Sequence, residues 1–153
     1  MKFALIIAAA VIAYLALLFS LIRFIFQRIK RRLAMEVEKQ FAREDMVLGA
    51  LDANLIGQKS RGIGQVRGNG ALVLTQDELW FLMAVPRREI VIPVSTIKNV
   101  GTVSSYMGKA VFRPLLLVEF ESSGGEDSIA VFVRDLEAWQ EAIGKTMAAP
   151  KTN

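Results

Sequence analysis

The sequence predicts an N-terminal transmembrane helix and a stalk helix, followed by a mainly-β barrel of about seven antiparallel strands capped by a C-terminal helix. Three observations support this fold class. The chain begins with a long uncharged apolar run. Beyond residue 52, short apolar runs alternate with turn-forming residues every eight to twelve positions, which is typical of antiparallel barrels and sandwiches. The last element returns to the spacing of an amphipathic helix.

The uncharged run extends from Phe3 to Ile22. A helix of this length is about 30 Å long, which matches the hydrocarbon core of a bilayer. A cleaved signal peptide usually has a shorter apolar region, about 7–15 residues, that ends in small residues. Here bulky apolar residues continue to Phe26. We therefore expect residues 1–26 to form an uncleaved, single-pass transmembrane anchor.

Positive charge is concentrated directly after the anchor. Residues 1–43 hold eight Lys and Arg against two Glu, a balance of +6, whereas residues 44–153 hold eleven against thirteen Asp and Glu, a balance of −2. The positive-inside rule then predicts an N-terminus outside the cell membrane and a cytoplasmic C-terminal domain. Basic residues beside this face also attract anionic lipids, at about 1 kcal/mol each. The predicted membrane-interface residues are Arg23, Arg28, Lys30, Arg31 and Arg32.

Residue types that are missing or poorly placed exclude most catalytic sites. The chain has no Cys and no His, which excludes disulfides, the usual zinc sites, Ser-His-Asp triads and Cys-His pairs. The carboxylate pairs Glu44-Asp45, Asp77-Glu78 and Glu126-Asp127 fall at element ends, where we expect them to be solvated. The glycines of residues 62–70 lack the spacing and the following helix of a dinucleotide site. We predict no enzyme, no catalytic, cofactor or metal residues, and no nucleic-acid partner.

A basic juxtamembrane stalk helix is predicted over residues 27–52. This segment contains no Pro and is rich in residues that favour helix. Its apolar residues follow a heptad-like spacing, but Glu44 interrupts the pattern and the stretch is too short to indicate a coiled coil. We expect its partial apolar stripe to pack either on the following domain or on a partner.

The domain of residues 53–147 contains the strands. Two pairs of apolar runs are separated by polar turns, Thr75–Glu78 and Ser122–Asp127, and each pair indicates a hairpin. The loop of residues 104–114 mixes Tyr, Met and Phe with Lys and Arg, which is typical of a contact surface or a membrane-touching loop. The alternative is a hairpin whose apolar residues fold onto the domain. The predicted strands are 54–59, 71–74, 79–83, 89–92, 97–103, 115–120 and 128–133.

The closing helix begins after Asp135, whose carboxylate suits an N-cap. Leu136, Trp139 and Ile143 recur at helical spacing as far as Gly144. We expect this helix to close an open end of the barrel, with Trp139 as the structural cap. Residues 148–153 are predicted to form a disordered tail.

The order of these elements resembles the pleckstrin-homology (PH) superfold, in particular the bacterial PH-like and GRAM-like domains, over about residues 54–145. The resemblance depends on G-x-L-x-L-T-x-x-x-L-x-F at residues 70–81, I-P-x-x-x-I at 92–97, and D-L-E-A-W at 135–139. The tryptophan of the closing helix, Trp139, is the feature that PH domains share most widely. The resemblance implies a seven-stranded barrel capped by one helix and used for binding, not for catalysis.

Lipid-binding PH domains carry basic residues on and between their first two strands. This chain has Lys59, Arg61 and Arg67 in the corresponding region, and Arg87 and Arg88 in the next-but-one loop could face the same rim. Arginine suits phosphate because its planar fork donates two parallel hydrogen bonds. The negative balance of the domain opposes strong head-group capture, so a solvated loop is the alternative. The possible ligand-binding rim residues are Lys59, Arg61, Arg67, Arg87 and Arg88.

The leading hypothesis from the sequence is a non-enzymatic, membrane-anchored cytoplasmic PH-like binding module at the inner face of the membrane. It would mediate protein–protein interaction or self-association through open sheet edges and the stalk. The alternative is a PH-like domain that senses anionic lipids through its basic loops. Neither hypothesis requires a cofactor.

Overall fold

The computed structural model describes residues 2–149, which form two compact units that divide between Arg32 and Leu33. Residues 150–153 of the predicted tail lie outside the described residues. Helix α1 spans Lys2–Gln40 and α2 spans Leu136–Ala148. The seven strands are β1 (Met46–Gln58), β2 (Gly68–Thr75), β3 (Glu78–Met83), β4 (Arg88–Pro93), β5 (Ile97–Tyr106), β6 (Lys109–Ser122) and β7 (Gly125–Phe132).

The first unit consists of the N-terminal turns of α1. Within α1, the stretch Ala9–Gln40 contains the one helical segment of the described chain that is long and apolar enough to cross a membrane. Large apolar side chains such as Phe19 and Phe24 are exposed along it. These features belong to membrane spans and to signal sequences alike, so insertion and orientation remain predictions.

The seven strands form one antiparallel sheet in the order β4-β3-β2-β1-β7-β6-β5. The predicted fold class, an apolar N-terminal helix followed by a mainly-β domain and a C-terminal helix, is confirmed. The sheet is open and not a closed barrel, because no strand of the described residues joins β4 to β5. Pro93 ends β4, since proline supplies no ladder N–H, and a 3-10 turn at Val94–Thr96 leads into β5.

The predicted stalk helix is wrong in its second half. Helix α1 ends at Gln40, and residues from Met46 onward belong to β1, which is much longer than the predicted strand 54–59. Burial alternates along the start of β1, and Leu48 and Ala50 pack on the core while their neighbours face outward. Pairing of Leu48 with Leu74 of β2 therefore outweighs the helix propensity of this segment.

The main hydrophobic core lies on the concave face of the sheet and is closed by α2. Asp135 caps α2 as predicted, because its carboxylate accepts a hydrogen bond of 3.1 Å from the Ala138 N–H. Trp139 and Ile143 enter the core and are 3% and 0% exposed. Helix α2 contacts β5, β6 and the Val94–Thr96 turn, so it lies on the open side of the sheet between β4 and β5.

The opposite face of β2 and β3 is also covered. Val73 and Trp80 point away from the main core and yet are 1% and 2% exposed. The Phe41 ring, just after α1, meets the Trp80 ring edge-on at 5.4 Å, and Leu33 and Val37 of α1 are buried. The last turns of α1 therefore pack on this outer face. Burial on both faces explains the continuous apolar runs of β2 and β3.

The β5–β6 hairpin bends back over the outer face of the sheet. The strand register shifts between Val103 and Ser105, so that Val103 pairs with Leu115 but Ser105 pairs with Ala110. Beyond this shift, Tyr106 and side chains near it pack on a second apolar cluster formed by Ile56, Leu115 and Ala130. Tyr106 and Val111 therefore fold onto the domain, as one of the predictions for residues 104–114 expected, whereas Phe112 is fully exposed and a contact role of the loop stays a prediction.

Candidate functional site

Three connections between strands lie together at one end of the sheet. They are the β1–β2 loop, the β3–β4 loop and the turn of the β5–β6 hairpin. Arg88, at the start of β4, donates a hydrogen bond to the side chain of Gln58 at the end of β1. The Lys109 ammonium group beside the hairpin turn donates to the Gln65 carbonyl oxygen at 2.8 Å. We call residues 59–67, 84–88 and 107–109 the rim.

The rim concentrates positive charge. Its three segments contain six Lys and Arg and no Asp or Glu. All five bases predicted for a ligand-binding rim fall within it, and Lys109, which sequence reasoning missed, joins them through the bend of the β5–β6 hairpin. The exposed bases of the rim are Lys59, Arg61, Arg67 and Arg87.

Exposed apolar side chains alternate with these bases. Ile63, Val66 and Val85 are 72%, 62% and 68% exposed, whereas most large apolar residues of the sheet are buried. From the sequence, only the glycines and bases of this region were recognised as candidate site features. The available signal was the pattern R-G-I-G-Q-V-R at residues 61–67, in which two branched apolar residues stand in a loop too short to bury them.

Arg88 is the one predicted base that is partly buried. Its Nη2 donates to Gln58, but its Nε, which is shielded from solvent, has no hydrogen-bond partner among the described residues. Burial lowers the pKa of the Arg88 guanidinium, and the nearby charge of Arg61 lowers it further, while Asp127 acts in the opposite direction. This guanidinium is therefore incompletely compensated, which favours an anion beside it.

Asp127 lies beneath the rim and is 4% exposed, so the prediction of a solvated Glu126-Asp127 pair is wrong for Asp127. Its carboxylate accepts hydrogen bonds from the Gln58 side chain (2.7 Å), the Ser60 hydroxyl (2.7 Å), the Ser60 N–H (2.8 Å) and the Ser128 N–H (2.8 Å). Burial alone would raise the pKa of Asp127, but these hydrogen bonds outweigh it and lower the pKa. Asp127 therefore holds the start of the β1–β2 loop as a carboxylate.

The remaining predicted site residues lie elsewhere. Trp139 belongs to the core and not to the rim. The predicted membrane-interface residues are exposed on α1 in the first unit and are Arg23, Arg28, Lys30, Arg31 and Arg32.

A second surface is the free edge of β5. Its segment Val100–Ser105 contains no charged residue and no Pro, the two features by which natural edge strands usually avoid pairing with other chains. The charged residue of the strand, Lys98, stands at its start, and its Nζ lies 3.8 Å from Glu121 Oε2 on β6. Helix α2 flanks the edge, because Gln140 Nε2 donates to Thr102 Oγ1 at 2.9 Å. The free edge of β4 is shorter and ends at Pro93.

No protein-family model matches the chain, and no curated protein matches it. Solved structures do resemble it. A chain of the 8S snRNP assembly intermediate aligns with a TM-score of 0.56 and 14% identity, over 72% of this chain and 89% of that chain. The C-terminal domain of an unknown protein from Leishmania infantum aligns with a TM-score of 0.51 and 14% identity, over 84% and 99%. At these identities the likeness shows the fold alone.

The similar solved structures also include a PH domain. It is the Vps36 N-terminal PH domain, which aligns with a TM-score of 0.46 and 14% identity, over 71% of this chain and 87% of that chain.

Proposed function

We propose that this chain is a non-enzymatic, membrane-anchored binding module of PH-like fold whose rim contacts the anionic lipid surface of the inner leaflet. The single observation that carries the proposal is the composition of the rim. Its three segments contain six bases and no acidic residue, and three exposed apolar side chains stand among them, in a domain whose overall balance is negative. One of the bases, Arg87, pairs with Glu36 of α1 at 3.2 Å, and Asp127 lies beneath the rim. The proposal includes that the protein is bacterial and that its domain is related to GRAM-like domains.

The physics of the lipid interface favours this mixture of side chains. Basic residues near an anionic surface gain about 1 kcal/mol each. Ile63, Val66 and Val85 leave most of their apolar area in water, and they gain free energy when that area enters the head-group region. An anchor on the same chain confines the domain to the membrane surface, so even a weak contact of the rim is populated.

The test uses single-cysteine labelling, for which the chain is suited because it contains no Cys. Gly64→Cys places an environment-sensitive fluorophore in the β1–β2 loop, where a Cβ meets no other atom within 4 Å. The full chain is reconstituted in nanodiscs of neutral lipid or of mixed neutral and anionic lipid. We expect a blue-shifted emission in anionic discs that reverses with salt. Arg61→Ala combined with Arg67→Ala should lower the docked-to-undocked ratio roughly 30-fold, at about 1 kcal/mol per base.

The matched control is the same fluorophore at Gln76→Cys. Gln76 is exposed in the β2–β3 turn, at the opposite end of β2 from the rim, so its emission should not depend on lipid charge. Equal emission of the Gly64 label in neutral and anionic discs would contradict the lipid contact. Failure of the chain to incorporate into discs would contradict the anchor.

A second candidate function is protein binding at the β5 edge. The segment Val100–Ser105 favours it, because an edge without charged residues or Pro offers main-chain N–H and C=O groups to an added strand. Helix α2 flanks the edge through Gln140, so an extended segment of another protein or of a second copy would lie between strand and helix.

A photo-crosslinking residue at Ser104 tests this candidate in membranes of cells that express the full chain. We expect crosslinked products from Ser104 and none from Val91, an exposed residue on the other edge strand, β4. A product at twice the mass of the chain would identify a second copy, and a different mass would identify another protein. Equal yields from both positions would indicate random collision and contradict the candidate.

A further inference from the structure

The side chain of Gln65 clamps the middle of the β1–β2 loop. Gln65 accepts a hydrogen bond from the Gln58 N–H at 2.8 Å through its Oε1. Its Nε2 donates to the Gln58 carbonyl at 2.8 Å and to the Gly62 carbonyl at 2.7 Å. The amide of Gln65 therefore joins the start of the loop to its middle. It bonds both the N–H and the C=O of Gln58, as the backbone of a neighbouring strand would.

The β5–β6 turn supports this clamp from the other side. Lys109 Nζ donates to the Gln65 carbonyl at 2.8 Å, and the Met107 sulfur lies 3.5 Å from Gln65 Nε2. The turn is itself fastened to the sheet, because the Tyr106 hydroxyl donates to the Ser128 carbonyl at 2.8 Å. The two contacts to Gln65 join residues more than forty positions apart, so the hairpin and the β1–β2 loop hold one another.

This loop has a particular need for external support. It contains Gly62 and Gly64, and glycine populates more backbone conformations than any other residue. A free loop of this composition would lose that conformational freedom each time it bound a surface. A loop that is already ordered does not incur this cost, which is the general advantage of preorganisation.

We propose that Gln65, backed by the β5–β6 turn, is a positioning residue that keeps the β1–β2 loop in one conformation. In this conformation Ile63 and Val66 are exposed together with Arg61 and Arg67, so apolar and basic groups reach a ligand surface at once. The inference rests on the proposed lipid contact for its functional consequence. The clamp itself is testable without lipid.

The first experiment measures cleavage of the full chain by trypsin in detergent. Arg61 and Arg67 are trypsin sites within the loop and are exposed, so the ordered backbone is their protection. Gln65→Ala should raise the rate of cleavage at these two sites at least tenfold, without an equal rise at Arg134, an exposed base elsewhere. Gln65→Met, which keeps the length but not the hydrogen bonds, should behave in the same way. Gln76→Ala is the matched control and should change nothing.

The second experiment repeats the Gly64→Cys emission assay in anionic nanodiscs. Gln65→Ala should lower the docked-to-undocked ratio about tenfold while the melting temperature stays within a few degrees of the parent. Unchanged cleavage at Arg61 and Arg67 would overturn the clamp. Faster cleavage with unchanged docking would overturn the positioning role. A fall in melting temperature with faster cleavage throughout the chain would assign Gln65 to stability and overturn it as well.

The two proposals fail in different ways. If the parent chain does not dock but Gln65→Ala loses protection at Arg61 and Arg67, the lipid contact is wrong and the clamp holds. If the parent docks and Gln65→Ala leaves both cleavage and docking unchanged, the clamp is wrong and the lipid contact holds.

Discussion

Replacing Trp139 with Ala is expected to lower the free energy of unfolding of the second unit by about 3–5 kcal/mol. The indole is 3% exposed in the main core, beside Ile143 at 0%. Helix α2 closes the side of the sheet where β4 and β5 do not pair. Removing the indole leaves a cavity between α2 and the sheet. Collapse around the cavity is limited because the flanking strands are tied into the sheet.

Differential scanning calorimetry of the full chain in detergent measures this effect. A loss of 3–5 kcal/mol corresponds to a melting temperature lowered by more than about 10 °C in a unit of this size. Trp139→Phe should retain a large part of the stability, and Glu137→Ala, an exposed residue on the same helix, should have little effect. A melt of Trp139→Ala within about 2 °C of the parent would disprove that α2 closes the core.

Replacing Asp127 with Ala is expected to cost about 2–4 kcal/mol. The carboxylate of Asp127, which is 4% exposed, accepts four hydrogen bonds, from Gln58, Ser60 and Ser128, and its loss leaves these donors without this acceptor. Asp127→Asn keeps the shape but turns one acceptor into a donor, so it should recover only part of the loss. Glu126→Ala is the control, because Glu126 is exposed and should change stability by less than about 0.5 kcal/mol.

The pH dependence of stability follows from the lowered pKa of Asp127. The folded pKa lies below the unfolded value of about 3.9, so the contribution of Asp127 is complete above that pH and is lost as the pH falls through the folded pKa. The difference in unfolding free energy between the parent and Asp127→Asn should therefore be larger at pH 7 than at pH 2–3. Chemical denaturation at both pH values measures it, and an equal difference at both would contradict an ionised Asp127.

Prediction from sequence succeeded where the pattern is local. Asp135 follows the β7 strand and precedes helical spacing, and it caps α2 as expected. The turn at Thr75–Glu78 parts β2 from β3 as expected. The prediction of helix at residues 46–52 was wrong. The helix propensity of single residues is high there, but pairing with β2 stabilises a strand.

The candidate site was only half predictable. Each of the five bases from Lys59 to Arg88 was named from its own loop, but nothing local indicates that the loops adjoin. Lys109 and Gln65 enter the site through contacts that span more than forty residues. Asp127 was expected to be solvated because it lies next to a hairpin turn. Its burial depends on the neighbouring strand β1, which the local sequence does not indicate.

The sequence by itself determined which segments are apolar, which alternate and which turn: the uncharged run from Phe3 to Ile22, the strands beyond residue 53, and the closing helix with Trp139. These properties depend on side chains a few positions apart. The tertiary structure alone decided that the sheet stays open, that the end of α1 covers Trp80, and that the bases and apolar side chains of three connections form one rim. The reason is physical. Burial and neighbouring charge depend on which strands pair, and pairing brings together residues that are too far apart in the sequence for its local periodicity to connect them.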